Sequence, residues 1–259
     1  MRYLPIILVS TILASCQVSS TKAVNEQKEI IEDSVPDTLV TVSNMEIDSM
    51  PFIMLKMNNE TAYISMVDSV IPSETDSTIG LCVEAAFTGE LLKEFKTTNI
   101  GGDYVIDGVF HKGYKCKANT GFLYADKKIY TISSSQHCDE WIAKAQENGG
   151  TLFQQILMVQ NGKNVYKGTP IKQATPNIYR SACILNDGSF AVIQSTKALP
   201  LNDFINSLIE MGVSDALYLD TGRGWNYGWY RENTESPAIK LFDYKSTYQT
   251  NWLFIKAKR

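Results

Sequence analysis

The chain has 259 residues, of which 44% are hydrophobic and 20% are charged, with both signs mixed along the sequence. This composition is typical of a globular protein that is large enough to bury a substantial core. The formal net charge of −4 gives no basic surface of the kind that holds a polyanion, so we predict that nucleic acid is not a partner.

The first sixteen residues, MRYLPIILVSTILASC, predict an export signal. Arg2 supplies a minimal positive start, and the apolar stretch 4–13 is too short to span a bilayer as a helix. The stretch ends in Leu13-Ala14-Ser15-Cys16, which resembles a bacterial lipobox, and the alternative is a plain secretory signal. We predict a lipoprotein signal peptide over 1–16, with lipidated Cys16 anchoring the protein to a membrane of the bacterial cell envelope, in the periplasm or at the cell surface.

Residues 17–45 are rich in Ser, Thr, Asp and Glu and contain no aromatic side chain. Such a segment buries too little apolar surface to offset the entropy lost on ordering. We therefore predict a flexible tether over 17–45 and a globular domain over 46–259.

Short apolar runs separated by turn signals then predict β-strands. The runs AYISMVDSVI (62–71) and GLCVEAAF (80–87) are the first two, and GFLYADKKIYTI (121–132) reads as a hairpin around its polar centre. Two further hairpins are predicted at 153–166, through Asn161-Gly162, and at 181–195, through Asn186-Asp187-Gly188. Asn, Asp and Gly supply the positive φ angles that tight turns require.

Two segments have the periodicity of helices. The first, CDEWIAKAQENGG (138–150), ends at Gly149 as a predicted C-terminal cap. The second, in PLNDFINSLIEMGVSDALYLD (200–220), begins at Asn202 as a predicted N-cap, stops at Gly212 and leads into a buried strand that ends at Asp220. The fold class that follows is α+β, a mixed, largely antiparallel β-sheet with a few packed helices.

Four cysteines remain beyond the leader, namely Cys82, Cys116, Cys138 and Cys183. An exported protein can oxidise them, and four cysteines allow three pairings that the sequence does not rank. Their separations match no zinc site. Each lies beside apolar or aromatic residues, so buried thiols are an equal alternative to disulfides.

Several familiar catalytic arrangements are absent from the sequence, including the G-x-S-x-G elbow, H-E-x-x-H and the glycine-rich phosphate loops. With only His111 and His137 present, acid–base chemistry falls to carboxylates. Asp220 ends a predicted buried strand just before a glycine-rich loop, which is a common position for a site residue. The alternative is that Asp220 caps its own turn.

The segment ALYLDTGRGWNYGWYRE (216–232) then places Trp225, Tyr227 and Trp229 among glycines, beside Arg223 and Arg231. Aromatic rings stack on sugar faces, and arginines hold phosphate or carboxylate through two donors. For any single ring, we favour packing over the sheet edge as part of the core. For the cluster we predict one wall of a sugar-binding cleft.

The succession NIYRSACILNDGSFAVIQS and LNDFINSLIEMGVSDALYLDTG resembles the C-terminal half of the phosphodiester glycosidase family. Arg180, Asp187-Gly188, Ser195 and Leu219-Asp220 stand where that family has an arginine opening a hairpin, a D-G turn, a serine at a strand end and an L-D-G-G strand end. The resemblance covers about residues 78–235 and indicates a divergent bacterial lipoprotein branch. The family includes an enzyme that removes N-acetylglucosamine from a sugar phosphodiester.

The sequence departs from the family pattern in two places. Leu219-Asp220-Thr221-Gly222 replaces L-D-G-G, and Glu84-Ala85-Ala86-Phe87-Thr88 replaces an N-G-G-F-F strand end. The family's asparagine and glycines are missing at these positions, and their loss predicts either a different substrate or a loss of activity.

The resemblance implies hydrolysis of a sugar-1-phosphate linkage by two carboxyl groups. Asp220 is the first choice for one, and Glu84 and Glu90 are the candidates for the other. Arg180 would bind the phosphate with help from Arg223 or Arg231, while Asn99 and Asp103 would contact sugar hydroxyls. No cofactor is implied with certainty, and the pattern leaves room for a divalent cation.

Each assignment has a structural alternative. Glu84 would face solvent on an edge strand, Glu90 would begin a helix, and Arg180 would form a surface ion pair of little energetic value. The expected partners are a glycan or sugar-phosphate substrate and, through the lipid anchor alone, a membrane. A non-catalytic carbohydrate-binding lipoprotein is the alternative to the hydrolase, and an envelope protein with a structural role is a third.

Overall fold

The computed structural model describes residues 37–68, 70–87, 100–113, 120–168, 176–221, 227–242 and 251–258. All of them belong to a compact unit that spans Pro36–Arg259. The predicted signal peptide, Cys16 and the first part of the predicted tether lie outside the described residues.

The described residues form sixteen β-strands, and hydrogen-bonded neighbours within the sheets run antiparallel. In chain order they are β1 Val40–Ile47, β2 Met50–Met57, β3 Ala62–Asp68, β4 Ile79–Glu84, β5 Tyr104–Ile106, β6 Val109–His111, β7 Thr120–Ala125, β8 Tyr130–Ser134, β9 Thr151–Gln160, β10 Lys163–Asn164, β11 Arg180–Leu185, β12 Phe190–Ser195, β13 Val213–Leu219, β14 Gly228–Tyr230, β15 Ile239–Phe242 and β16 Asn251–Ala257.

The strands form two sheets within the described residues. The large sheet has eleven strands in the order β1-β2-β12-β11-β13-β9-β5-β6, with β7 and β10 also paired to β9 and β8 paired to β7. The small sheet has five strands in the order β15-β14-β4-β16-β3. One apolar cluster contains side chains from both sheets, including Leu81 and Val83 of β4 and Ala182 and Leu217 of the large sheet. The two sheets therefore pack face to face.

Two short α-helices, α1 at Cys138–Asn148 and α2 at Leu201–Glu210, cover the other face of the large sheet. Phe204 and Leu208 of α2 pack with Ile193 and Tyr218 of the sheet, and α1 packs on Phe122 and Leu152 through its own buried stripe. Both helices present apolar residues at helical spacing to the sheet, which is why they form there. No helix among the described residues is long and apolar enough to cross a membrane.

The turns that the sequence predicts from neighbouring Asn, Asp and Gly residues are confirmed. Asn161 and Gly162 have φ angles of 50° and 69° and join β9 to β10. Gly188, with φ of 81°, lies in the turn between β11 and β12. The hairpin of β7 and β8 also forms, and Gly149 ends α1 in the left-handed conformation.

Three expectations need correction. Residues 40–45, assigned to the tether, belong to β1, which pairs with β2 along its whole length. The second helix has Pro200 rather than Asn202 at its N-cap, because Leu201 is already helical and fully buried. The fold is also more strongly dominated by sheet than the predicted class, with α1 and α2 the only α-helices in the described part of the chain.

The cysteine alternatives are resolved in part. Cys82, Cys138 and Cys183 are all buried, and Cys116 lies outside the described residues. The Cys183 thiol is 3.8 Å from the Ser181 carbonyl oxygen, and burial raises its pKa to about 12. Cys183 is therefore a buried thiol rather than half of a disulfide.

Candidate functional site

Several strand ends from both sheets meet at one edge of the molecule. Arg180 begins β11, where it is paired with Leu219 of β13 on one side and Gln194 of β12 on the other. Because Leu219 is the last residue of β13, Asp220 follows directly at the same edge. In the small sheet, Glu84 ends β4 and is paired with Trp252 of β16.

Hydrogen bonds tie these strand ends to one another across the two sheets. The backbone N–H of Asp220 donates to the Ala85 carbonyl oxygen at 3.0 Å. The Asn251 side chain accepts from the Ala86 N–H at 2.7 Å and donates to the Ala86 carbonyl oxygen at 3.0 Å. Asn251 begins β16, so the segment after Glu84 is held from both sheets.

Arg180 lies in the middle of this arrangement and has no exposed surface. Its Nε donates to Gln194 Oε1 at 2.8 Å, and its Nη1 donates to the Tyr227 carbonyl oxygen at 3.3 Å. A Cβ atom at Gly228 would lie 3.2 Å from Arg180 Nη2 and 3.0 Å from Val83 Cγ1. The guanidinium therefore approaches the start of β14 closely only because residue 228 has no side chain.

The electrostatics of the site centre on this buried cation. Burial lowers the pKa of Arg180 to about 10, and the nearby charges, that of Glu84 first and that of Asp220 more weakly, act in the opposite direction. Arg180 therefore stays protonated at neutral pH. Glu84 and Asp220 are 0% and 1% exposed, so a cation and two carboxyl groups share one desolvated region.

Tyr218 forms the other side of the region around Asp220. Its hydroxyl accepts from the Thr221 N–H at 3.1 Å and lies 3.3 Å from Thr221 Oγ1. Burial, and next the charge of Asp220, raise the pKa of Tyr218 above its usual range. The Phe87 ring packs on Tyr218 with 5.8 Å between ring centroids, and the residues on either side of Asp220, Leu219 and Thr221, are fully buried.

The structure thus brings together three of the residues that the sequence suggested, namely Arg180, Glu84 and Asp220. The alternative that Glu84 faces solvent on an edge strand is wrong, because β4 lies between β14 and β16 and Glu84 is fully buried. The alternative that Arg180 forms a surface ion pair is wrong for the same reason.

Other predicted residues have different surroundings. Trp229 has no exposed surface and packs in an apolar cluster with Cys82, Trp252 and Phe254, so the packing interpretation applies to its ring. Tyr227 is 7% exposed, and it contacts Arg180 through its carbonyl oxygen while its hydroxyl donates to Glu74 Oε1.

Arg231 does not assist Arg180 in the described contacts. Its Nη1 donates to the Ser236 carbonyl oxygen at 3.1 Å, its Nη2 donates to the Glu74 carbonyl oxygen, and its guanidinium lies 5.5 Å from the centroid of a Trp229 ring. These contacts hold the segment around Glu74 over the outer face of the small sheet, so Arg231 has a structural role here.

The Asp103 carboxylate binds neighbouring residues at the β5–β6 hairpin. Its Oδ1 accepts from the Gly113 N–H at 2.7 Å, and its Oδ2 lies 3.3 Å from Lys112 Nζ. Both carboxylate oxygens have local partners, so in the described contacts Asp103 stabilises this hairpin, and its role towards sugar hydroxyls stays a prediction. The predicted residues Glu90, Asn99, Arg223 and Trp225 lie outside the described residues.

The sequence reasoning missed Gln194, Gly228 and Asn251. Gln194 was visible as a polar residue inside the apolar run 190–195, and Asn251 as the polar start of the apolar run 251–255. Among the described residues, no group of three or more His, Cys, Asp or Glu side chains is arranged to hold a metal ion. The divalent cation remains without an identified ligand set in the described part of the chain.

Comparison of the sequence with protein-family models and with curated proteins gave no match. Among solved structures, the fold is similar to the catalytic domain of zebrafish N-acetylglucosamine-1-phosphodiester alpha-N-acetylglucosaminidase, auto-inhibited by its pro-peptide, with a TM-score of 0.56, 10% identity, and coverage of 88% of this chain and 85% of that chain. A hypothetical protein from Synechocystis matches with a TM-score of 0.46 and 10% identity over 85% of this chain and 62% of that one. The first match shows a distant structural relationship in fold.

Proposed function

We propose that this protein is a hydrolase that cleaves the sugar-1-phosphate linkage of a sugar phosphodiester or a related glycoconjugate. The observation that carries the proposal is the meeting of Arg180, Glu84 and Asp220 in one desolvated region where strand ends of both sheets come together. The likeness in fold to a phosphodiester glycosidase catalytic domain supports it. In the same proposal, the chain is a divergent member of the phosphodiester glycosidase family.

The chemistry assigned to the site follows from the needs of glycoside hydrolysis. One carboxyl group must assist departure of the leaving group, and a second must activate water or attack the sugar. We assign the first role to Asp220 and the second to Glu84, with Glu90 as the other candidate. Arg180 would hold the phosphate, since a guanidinium offers paired donors to phosphate oxygens.

The burial of the site supports strong electrostatic interactions, because charges act over a low effective dielectric constant when water is excluded. Gln194 fixes the Arg180 guanidinium through Nε, so its remaining atoms have a defined orientation. In this proposal Gln194 is a positioning residue, which acts on substrate through Arg180.

A second candidate function is that of a non-catalytic carbohydrate-binding lipoprotein. The observation that favours it is the same burial, since Arg180, Glu84 and Asp220 are at most 1% exposed and such a cluster also serves to hold two sheets together. In both candidates, we propose that Cys16 carries the lipid that anchors the protein in the bacterial cell envelope.

The test is release of sugar from a panel of sugar-1-phosphodiesters by the full-length chain, compared with its Asp220→Asn and Glu84→Gln variants. We expect turnover by the parent protein and a loss of about 10²- to 10⁴-fold in either variant. The matched control is Asp107→Asn, which makes the same change at an exposed turn residue with a φ of 49°, a conformation that Asn tolerates.

Circular dichroism melting of each variant separates loss of chemistry from loss of fold. Turnover that survives in folded Asp220→Asn would remove Asp220 from the mechanism. If no phosphodiester is turned over while a glycan from the panel still binds in a fluorescence titration, the carbohydrate-binding lipoprotein is the better assignment.

A further inference from the structure

A cleft lies at the opposite edge of the sandwich from Arg180. β16 runs from Asn251, beside the candidate site, to Ala257, and the next residue, Lys258, lines a cleft of about 260 Å³. Six residue steps along an extended strand span about 20 Å. The cleft is therefore separate from the region described above, and its walls come from both sheets.

The inside of the cleft combines an apolar floor with aromatic sides. Met57, Ala62 and Ile64 form the floor and are buried, while Tyr63 and Tyr130 line the sides and are half-buried. Aromatic side chains beside an apolar floor suit a ring with an apolar face of C–H groups, such as a sugar ring. The volume is near the lower end of the range for ligand pockets, which suits one ring rather than a chain of them.

The rim of the cleft is cationic. Lys127, Lys128 and Lys258 line it and are exposed, and Lys127 Nζ lies 6.0 Å from the centroid of the Tyr63 ring. None of the three lysines forms an ion pair with another described residue. In a chain with a formal net charge of −4, three cations around one cleft form a local positive region.

The lining also contains one acidic residue, Asp126, whose hydrogen bonds with the turn favour its charged form, so the rim holds three cations against one carboxylate. Asp126 Oδ1 accepts from the N–H groups of Lys128 and Ile129 at 2.6 and 2.8 Å, and Oδ2 accepts from the Tyr124 hydroxyl at 2.5 Å. These bonds fix the turn that carries Lys127 and Lys128. The backbone positions of the two lysines beside the cleft are therefore set before any ligand arrives.

The Tyr130 side is also fixed. Its hydroxyl donates to the Gly188 carbonyl oxygen at 2.9 Å and accepts from Asn59 Nδ2 at 2.9 Å, and its ring packs edge-on against Phe190. On the small-sheet side, Lys258 Nζ donates to the Asn59 carbonyl oxygen at 2.5 Å. Asn59 therefore places a polar amide at the mouth of the cleft, where ring hydroxyls would lie.

We propose that this cleft binds a single sugar ring that carries an anionic group, with the ring against Tyr63 and Tyr130 and the anion among Lys127, Lys128 and Lys258. The site is separate from the proposed hydrolase site and does not depend on it. A flat anionic lipid surface fits less well, because the apolar contacts of the cleft lie at its buried floor and only Ile129 among its lining residues is an exposed large apolar side chain.

The experiment is isothermal titration of the full-length chain with glucose 6-phosphate, glucuronate, glucose and inorganic phosphate. The anionic group could be a phosphate or a carboxylate. Glucose 6-phosphate tests the first, and glucuronate tests the second. We expect at least one of the charged sugars to bind about tenfold more tightly than glucose and than inorganic phosphate, with an affinity that falls as salt is added. The Lys127→Gln/Lys128→Gln variant should lose about tenfold in affinity, whereas Lys163→Gln, at an exposed lysine outside the cleft, should not.

Each other outcome overturns the proposal. Equal binding of glucose would show that the lysines play no part, and undiminished binding by Lys127→Gln/Lys128→Gln would place the ligand elsewhere. Lysine-dependent binding to phosphatidylglycerol vesicles, with none to the charged sugars, would assign the rim to a membrane surface. Because the three lysines are exposed, the variants are expected to fold, and thermal melting verifies it.

Discussion

Arg180 and Glu84 lie at one edge of the β-sandwich with no exposed surface, whereas Lys127 and Lys128 lie in solvent at the other. The first edge collects charges of both signs and buries them with Gln194 and the Tyr227 carbonyl oxygen as hydrogen-bond partners. The second places three lysines and one aspartate around an open cleft.

The difference shows what each edge depends on. A buried cation is tolerated only when opposite charges and hydrogen bonds offset its desolvation, so every member of that cluster affects stability. Exposed lysines are solvated individually, so they can be changed with little effect on the fold. Loss of a charged side chain should therefore destabilise the fold at the first edge and alter only ligand binding at the second.

The largest expected effect comes from Arg180→Ala. The substitution leaves Glu84 and Asp220 in a desolvated region without their cation, which should lower the free energy of unfolding by about 3–5 kcal/mol in a urea titration. Lys127→Ala at the opposite edge is the matched control and should change it by less than about 0.5 kcal/mol. Similar losses in the two variants would mean that burial of Arg180 has no special energetic consequence.

Asn251→Ala should be the next most damaging change. The Asn251 side chain satisfies both the N–H and the carbonyl oxygen of buried Ala86, and leaving buried polar groups unsatisfied should cost about 2 kcal/mol or more. Chemical denaturation measures the loss. Asn59→Ala makes the same change at an exposed asparagine, and an equal loss there would argue against the role of Asn251 in joining the sheets.

Tyr218→Phe should change how stability depends on alkaline pH. The pKa of Tyr218 is raised above its usual value of about 10 by burial and then by Asp220. The folded state therefore keeps the proton that the unfolded chain loses, so this contribution is complete below about pH 10 and is lost as pH rises towards the folded pKa. We expect the free energy of unfolding of the parent to fall more steeply above pH 10 than that of the variant, by up to about 1.4 kcal/mol per pH unit. Parallel curves would contradict this.

The smallest effect is expected at Lys56 and Asp187, an exposed ion pair 2.8 Å apart with side chains 39% and 58% exposed. A double-mutant cycle with Lys56→Gln and Asp187→Asn should give less than about 1 kcal/mol, and less still in high salt. The Lys56 hydrogen bond, followed by those from Ser189, lowers the pKa of Asp187 below its usual range. The coupling should therefore be present above about pH 4 and disappear as pH falls through the folded pKa. A coupling that persists in strong acid or high salt would contradict an electrostatic origin.

The sequence predicts the parts of this fold that depend on neighbouring residues. The turn at Asn161-Gly162 and the end of α1 at Gly149 follow from backbone preferences of two or three residues. The end of β13 just before Asp220 follows from a continuous apolar run. In the site, the sequence indicated Arg180, Glu84 and Asp220, although the resemblance to a family contributed to that choice.

The rest depends on contacts between distant segments. The glycines around Trp229 predict a ligand-binding loop, yet 228–230 form a strand paired with β4. Alternation along that strand turns Gly228 towards Arg180 and Trp229 towards the opposite apolar cluster. The burial of Glu84 likewise depends on β14 and β16 pairing on either side of β4, which no local pattern around residue 84 reveals.

The position of the last strand has a consequence for how the protein is made. β16 ends one residue before Lys258, yet it occupies an interior position in the small sheet, between β4 and β3. During synthesis, about 170 residues are added between the end of β4 and the start of β16, so β3 and β4 cannot pair with their shared neighbour until then. Such long-range pairing is typical of proteins that fold slowly. Until then Asn251 cannot join Ala86, and the edge that holds Arg180 stays unassembled. A chain that lacks β16 thus has no finished site, and removal of this strand should abolish the site rather than merely weaken it.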